Sequence, residues 1–248
     1  MKYFFIIPLI LLSAGIFSQT DSLNLIINKY IDAIGGKDNL DNINTVYIKR
    51  KLIQEENNTS RLNYSYQKKP NYRIFGNLTA PRFTTTDGTN SWKAEFDSTD
   101  NVYKWSKLSK KYSNALIING SFYWFLGVFV MEPNDKMNLE YAGKKVINGI
   151  KTNIIKVKWF DGSHWEYYLD AKTNLIYQLK PNETTTVKFL DYKEEENILF
   201  AHKTIDEGEG QNGPYKHRNL ILEIDFNIPL KEELFTPPNN KTLRIPVL

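Results

Sequence analysis

Cysteine is absent from the 248 residues. That absence removes disulfide frameworks, Cys-ligated zinc, iron–sulfur clusters, thiol nucleophiles and a lipid-modified N-terminal cysteine at once. Histidine is scarce, with only His164, His202 and His217. None stands in an H-E-x-x-H pattern, and no two share a helical four-residue spacing. There is no G-x-S-x-G elbow and no phosphate-cradling glycine loop of the Walker or Rossmann type. No charge of one sign dominates: 32 Lys+Arg face 28 Asp+Glu, a formal +4, too small and too dispersed a field for nucleic acid. A convincing membrane span is missing beyond the N-terminus, since residues 116–131 are short for one and hold Asn119 and two glycines. Fixed-period repeats, low-complexity tracts and Pro/Gly/Ser linkers are also missing, so one domain is expected over residues 19–248.

The N-terminus is read as a signal peptide over residues 1–18. Lys2 supplies a positive start, Tyr3 to Leu12 an apolar stretch of the right length, and Ser13, Ala14, Gly15 and Ser18 small residues near a cleavage point at Ser18. An uncleaved anchor helix is the blander alternative. Export is therefore expected. With 41% hydrophobic and 24% charged residues, the chain has a globular balance rather than a disordered one.

One helix comes first. Leu23, Ile26, Ile27, Tyr30, Ile31 and Ile34 recur at three- and four-residue spacing behind an Asp21-Ser22 cap, and Gly35-Gly36 stops the run. This predicts a helix over about 22–34. From Thr45 the period becomes two. Leu62, Tyr64 and Tyr66 alternate with Asn63, Ser65 and Gln67. Trp92, Ala94 and Phe96 alternate with Ser91, Lys93 and Glu95. Ile155, Val157 and Trp159 form one face of 153–160, and Trp165, Tyr167 and Leu169 one face of 163–169. Leu220, Leu222, Ile224 and Phe226 form one face of 219–226. Asp87-Gly88, Asp161-Gly162 and Asn174 mark tight turns. Further strands are expected near 45–54, 71–78, 82–87, 101–105, 137–143, 174–180, 184–193 and 197–206, making roughly a dozen strands in one large meander. The fold class is mainly β: a single curved antiparallel sheet forming an unclosed barrel.

Residues 104–131 break the alternation and read as a helical insertion. A dozen one-faced strands with so little helix to cover them must curl or split, and a large curl tends to enclose a cavity. The expected lining is aromatic: Tyr64, Tyr66, Trp92, Phe96, Trp159, Trp165, Tyr167 and Phe226. Phe122, Tyr123, Trp124, Phe125, Phe129 and Met131 of the insertion are expected to gate it. Such a lining suits an acyl chain or similar lipid; a dry core filled by the same rings is the blander outcome.

The order of elements, the segment IGGKDNLDNINTV after the helix, and the terminal stretch ILEIDFNIPLKEELFTPP resemble the periplasmic lipoprotein-carrier superfamily, the LolA/LolB-like proteins. The similarity is greatest to outer-membrane lipoprotein-sorting-like proteins of Gram-negative bacteria. GKKVINGIKTNIIKVKWFDGSHWEYYLDAKTNLIYQL is similar to the second half of that family, with Gly143, Gly149, Asp161-Gly162, Leu169-Asp170 and Thr173-Asn174 at turn positions. Phe226, Pro229, Leu234, Phe235 and Pro237 carry the C-terminal match. The resemblance implies an unclosed barrel around a hydrophobic cavity with a helical lid, no catalysis, no cofactor and a periplasmic location. It implies lipid or lipoprotein acyl chains as ligand and delivery to the outer membrane. The partners it implies are a membrane-bound donor or acceptor protein, and a monomer is expected. In the carrier itself a cavity arginine holds the lid; Arg50, Arg61 and Arg73 are all candidates here, and none is selected.

Other chemistry is thinly represented. His164 and Glu166 share a strand face and could ligate a metal, but a solvated face explains them as well. Glu194–Glu196 and Asp206, Glu207 and Glu209 could supply paired carboxylates; both clusters are read as turn charges. Lys104, Lys107, Lys110 and Lys111 could meet an anionic surface or form the wet face of a lid helix. The alternative to a carrier is a non-catalytic surface-binding or assembly module whose aromatics face a glycan or protein partner.

Overall fold

The computed structural model describes residues 22–69, 72–77, 82–100, 102–119, 125–130, 137–210, 212–231 and 235. The leader reading, Asp21, Phe122, Tyr123, Trp124, Met131, Leu234 and Pro237 lie outside the described residues.

Helix α1 occupies 22–33 and ends where its glycines were expected to end it. Gly35 and Gly36 take φ of 122° and 84°, and the Gly36 amide donates back to the Ile31 carbonyl at 2.8 Å. The helix end is also tied to the sheet, because the Leu199 amide donates to the Ile34 carbonyl at 3.0 Å. A five-residue helix, α2 (Lys37–Asp41), follows.

The strands are β1 (Thr45–Gln54), β2 (Thr59–Lys68), β3 (Tyr72–Asn77), β4 (Arg82–Thr86), β5 (Ser91–Asp97), β6 (Val102–Lys107), β7 (Met137–Ile147), β8 (Ile150–Trp159), β9 (His164–Asp170), β10 (Ile176–Lys180), β11 (Thr185–Glu195), β12 (Ile198–Gly210) and β13 (Gly213–Phe226). Helix α3 (Lys110–Asn119) and a 3-10 turn (Val128–Val130) stand between β6 and β7. All thirteen strands join one sheet in the order β6-β5-β4-β3-β2-β1-β13-β12-β11-β10-β9-β8-β7. This corrects the single meander expected from sequence. Two meanders, β1–β6 and β7–β13, are joined by pairing of their far ends, with Val46 opposite Phe226 and Ile48 opposite Ile224. β6 and β7 remain edges, so the sheet does not close into a barrel.

Residues paired across an antiparallel ladder share a face, so the register assigns every strand. The inner face, on which α1 packs, carries Val46, Ile48 and Arg50 of β1, then Phe226, Ile224, Ile221 and Asn219 of β13. A bulge drops Leu222 out of register between Ile221 and Glu223. That extra residue puts Leu220 on the opposite face from Ile224 and Phe226 and leaves Leu222 exposed, against the uniform alternation expected there. The inner face continues through Phe200, Tyr167, Leu169, Ile155, Val157 and Trp159, and this main core holds Tyr30 and Ile34 of α1.

Across β2 to β5 the inner face is polar: Arg50 pairs with Asn63 and Ile48 with Ser65, and Thr84 pairs with Lys93. Asn63, Ser65 and Gln67 are 4%, 1% and 0% exposed. α3 covers part of this face, with Ser113 Oγ donating to Ser91 Oγ at 3.0 Å. Tyr64, Tyr66, Trp92 and Phe96 therefore lie on the outer face, a correction to the expected lining. Alternation separates two faces of a strand but does not say which one turns inward. Here the outer face is apolar because the C-terminal segment crosses it. Thr45 Oγ1 donates to the Ile228 carbonyl at 2.6 Å, Lys68 Nζ to that of Leu230 at 3.3 Å, and Thr85 Oγ1 to that of Phe235 at 3.0 Å. Phe235 is buried against Phe83 and Ala94, with Tyr64, Tyr66, Tyr103, Trp105 and Leu230 around them.

Candidate ligand cavity

The inner face encloses a cavity of about 250 Å³. One wall is apolar, built from Trp165 and Tyr167 of β9, Leu179 of β10, and Val187 and Phe189 of β11. The other is polar, built from His202, Thr204 and Asp206 of β12, Asn219 of β13 and Arg50 of β1. β1 and β9 stand five strand spacings apart in the sheet order, roughly 24 Å if the sheet were flat. One small cavity touching both requires the sheet to curl.

Segment 125–130 packs beside the cavity. Phe125 lines it and meets the Phe200 ring edge-on at 5.8 Å. Phe129 sits between the Tyr30 and Tyr167 rings, at 5.1 and 5.0 Å. The Tyr30 hydroxyl donates to the Leu126 carbonyl, and the Tyr167 hydroxyl shares a hydrogen bond with the Val128 backbone. Gly127 is required at the bend: its φ is 93°, and a Cβ there would lie 2.9 Å from Ile176 Cδ1.

Of the residues expected to meet, the structure brings together Phe125, Trp165 and Tyr167 as lining, with Phe129, Trp159 and Phe226 in the core behind them. Trp159 stacks edge-on against Trp165 at 5.2 Å. Tyr64, Tyr66, Trp92 and Phe96 are not among them, and Phe122 and Trp124 lie outside the described residues. Of the three candidate arginines, Arg50 reaches the cavity. Arg61 lines a neighbouring depression, and the side chain of Arg73 lies outside those described. The polar wall was missed. Asp206 and Glu207 are mid-strand residues of β12, not turn charges, and nothing in a two-residue period distinguishes a cavity carboxyl from a wetted one.

Burial lowers the Arg50 guanidinium, and repulsion from Arg61 lowers it further, to about 10; it stays charged at neutral pH. Burial raises the Asp206 carboxyl, while the Tyr215 hydroxyl at 3.1 Å and His217 hold it down. Burial also lowers His202, which stacks on Phe200 at 4.7 Å and has Glu195 at 3.7 Å. His164 and Glu166 occupy the outer face as read, with Glu166 ion-paired to Lys156. No group of three metal-ligating side chains occurs among the described residues, and none of their helices is long and apolar enough to cross a membrane.

An open antiparallel sheet thus curls around the cavity, with α1 and segment 125–130 packed on its inner face. Solved structures share the fold. A DUF1329 family protein from Desulfovibrio piger superposes with TM-score 0.59 at 11% identity, covering 86% of this chain and 97% of that one. A LolA superfamily protein from Nitrosomonas europaea gives 0.59 at 12% identity, covering 85% and 96%. A putative outer membrane lipoprotein-sorting protein domain from Vibrio parahaemolyticus gives 0.51 at 10%, covering 77% and 89%. The protein has a LolA-like fold. No family model matches the sequence, and no curated protein does.

Proposed function

We propose that this protein is a non-catalytic carrier that takes a lipid, or the acyl chains of a lipoprotein, into the inner cavity and delivers it towards the outer membrane. The observation that carries the reading is the cavity of about 250 Å³ between an aromatic wall and a separate apolar plug. The names of two fold neighbours, one of the LolA superfamily and one a putative lipoprotein-sorting domain, point the same way. A periplasmic site of action follows from this reading and from the signal peptide read at residues 1–18. The volume sits just below the usual lower bound for small-molecule pockets, about 300 Å³. A long chain therefore needs Phe125 and its segment to give way, which makes 125–130 the gating element. Each methylene buried is worth about 0.8 kcal/mol, so even a medium chain outweighs several kcal/mol of immobilisation.

The test is titration with a hydrophobic fluorescent probe. Saturable one-to-one binding with Trp quenching is expected, weakened by Leu179→Trp, which fills the cavity. Absence of saturable binding ends the carrier reading. The second reading, a surface module, draws on the half-buried outer rings of Tyr47, Tyr64 and Tyr66, with Tyr66 tilted against Tyr47 at 4.9 Å and edge-on to Tyr64 at 5.7 Å. It expects glycan or protein binding that Leu179→Trp leaves intact.

A further inference from the structure

The two walls of the cavity differ in kind, and the difference has a direction. Trp165, Leu179 and Phe189 face Arg50 across the cavity. Beyond Arg50 the inner face continues over β2 to β5 as a second, more open depression of about 310 Å³, lined by Arg61, Asn63, Phe75, Asn77, Thr84 and Lys93. Asn63 stands opposite both Arg50 and Asn77 in the ladder. Phe75 lines the second depression, and the Arg50 Cζ lies over its ring at 5.1 Å from the centroid. Arg50 lines the apolar cavity and Arg61 the donor-rich depression; Asn63 pairs with Arg50 and Arg61 with Leu52, so the two guanidinium-bearing residues are diagonal neighbours on the inner face.

Lys93 is answered by Glu95 at 2.8 Å, whereas no carboxylate of the described residues forms an ion pair with Arg61. Arg50 and Arg61 repel one another, so an anion shared between them relieves that repulsion. Guanidinium groups suit the task, since their planar forks hold carboxylate or phosphate oxygens in pairs. The cavity's own carboxyl does not compete. Asp206 stands opposite His217 and Arg50 opposite Ile221, four residues further along β13, a separation of roughly 13 Å.

We propose that the ligand is a single-chain amphiphile with an anionic head, its chain along Trp165, Leu179 and Phe189 and its head held between Arg50 and Arg61. This rests on the carrier reading and narrows it. A neutral head gives the two guanidinium groups nothing to hold. A small free anion would occupy them but leave the aromatic wall unused.

Four probes separate these cases in Trp-fluorescence titrations: dodecanoate, dodecyl phosphate, dodecanol and inorganic phosphate. In the wild-type protein the two anionic amphiphiles are expected to bind about tenfold or more tighter than dodecanol, as charge-assisted hydrogen bonds allow, and inorganic phosphate is expected not to displace them. Arg50→Gln and Arg61→Gln should each cut the dodecanoate-to-dodecanol affinity ratio to about threefold or less. Arg61 is exposed, so its substitution tests the head site without threatening the fold. Dodecanol binding as tightly as dodecanoate, or a ratio that survives both substitutions, overturns the anionic head while the carrier reading stands. Inorganic phosphate binding as tightly as dodecyl phosphate overturns it in favour of a free-anion site. Failure of all three chain probes to bind overturns the carrier reading and this inference with it.

Discussion

A Cβ at Gly35 would lie 2.1 Å from the Asn197 carbonyl oxygen, whereas one at Gly36 would meet nothing within 4 Å. Both backbones have positive φ, so conformational strain alone does not separate them; the close approach of the β11–β12 turn does. Gly35→Ala is expected to cost about 2–3 kcal/mol or more, and Gly36→Ala about 1 kcal/mol, measured by chemical denaturation. Equal losses would show that the α1–β12 contact is not tight. His202 makes a second case. Its folded value is depressed, so the folded protein binds fewer protons than the unfolded chain. Its contribution is full above the ordinary histidine value, about 6.5, and is lost as pH falls through the folded value. The wild-type protein should lose melting temperature between pH 7 and 5 more steeply than His202→Gln; parallel slopes would contradict this. The glycine stop was legible in sequence because a helix end needs left-handed backbone. Arg50, His202 and Asp206 were not legible as a wall, because their meeting depends on β1 pairing with β13, far apart in the chain.

At the scale of elements, segment 125–130 and the C-terminal segment do opposite work on opposite faces. Phe129, buried between Tyr30 and Tyr167, supports the core behind the cavity, and Phe129→Ala should cost about 3–5 kcal/mol. Phe235, fully buried on the outer face, should cost a similar 3–5 kcal/mol on truncation. The two losses should have different consequences. Phe129→Ala should weaken chain binding as well as stability, while Phe235→Ala should shift Trp105 emission and leave ligand affinity unchanged; the reverse pattern would mean the faces are misassigned. Strand limits were readable from alternation and turn residues: Thr45–Gln54 is where it was expected, and Asn174 takes φ of 60° in its turn. Sidedness was not. Tyr64 and Trp92 look like lining because aromatics usually turn inward, yet a covering C-terminal segment makes an outer face equally apolar. The bulge at Leu222 escaped the period for a related reason: one extra residue reverses the faces and leaves no mark in composition.

At the scale of the molecule, thirteen strands with two free edges form a shell whose inner face changes from aromatic on β8–β11 to polar on β2–β5. The need for a curl followed from counting one-faced strands against two short covering segments. The junction at β1 and β13 did not, because long-range pairing leaves no local signal. That junction places Arg50 at the boundary of the two regions, so the carrier account and the head-group account share one geometry. The most direct test uses a bromine-labelled dodecanoate, which quenches tryptophan only on contact. Quenching should persist in Trp92→Phe and be largely lost in Trp165→Phe, because Trp165 lines the cavity and Trp92 lies on the outer face. Quenching that disappears with Trp92 and survives the loss of Trp165 would place the ligand on the outer face and contradict the account.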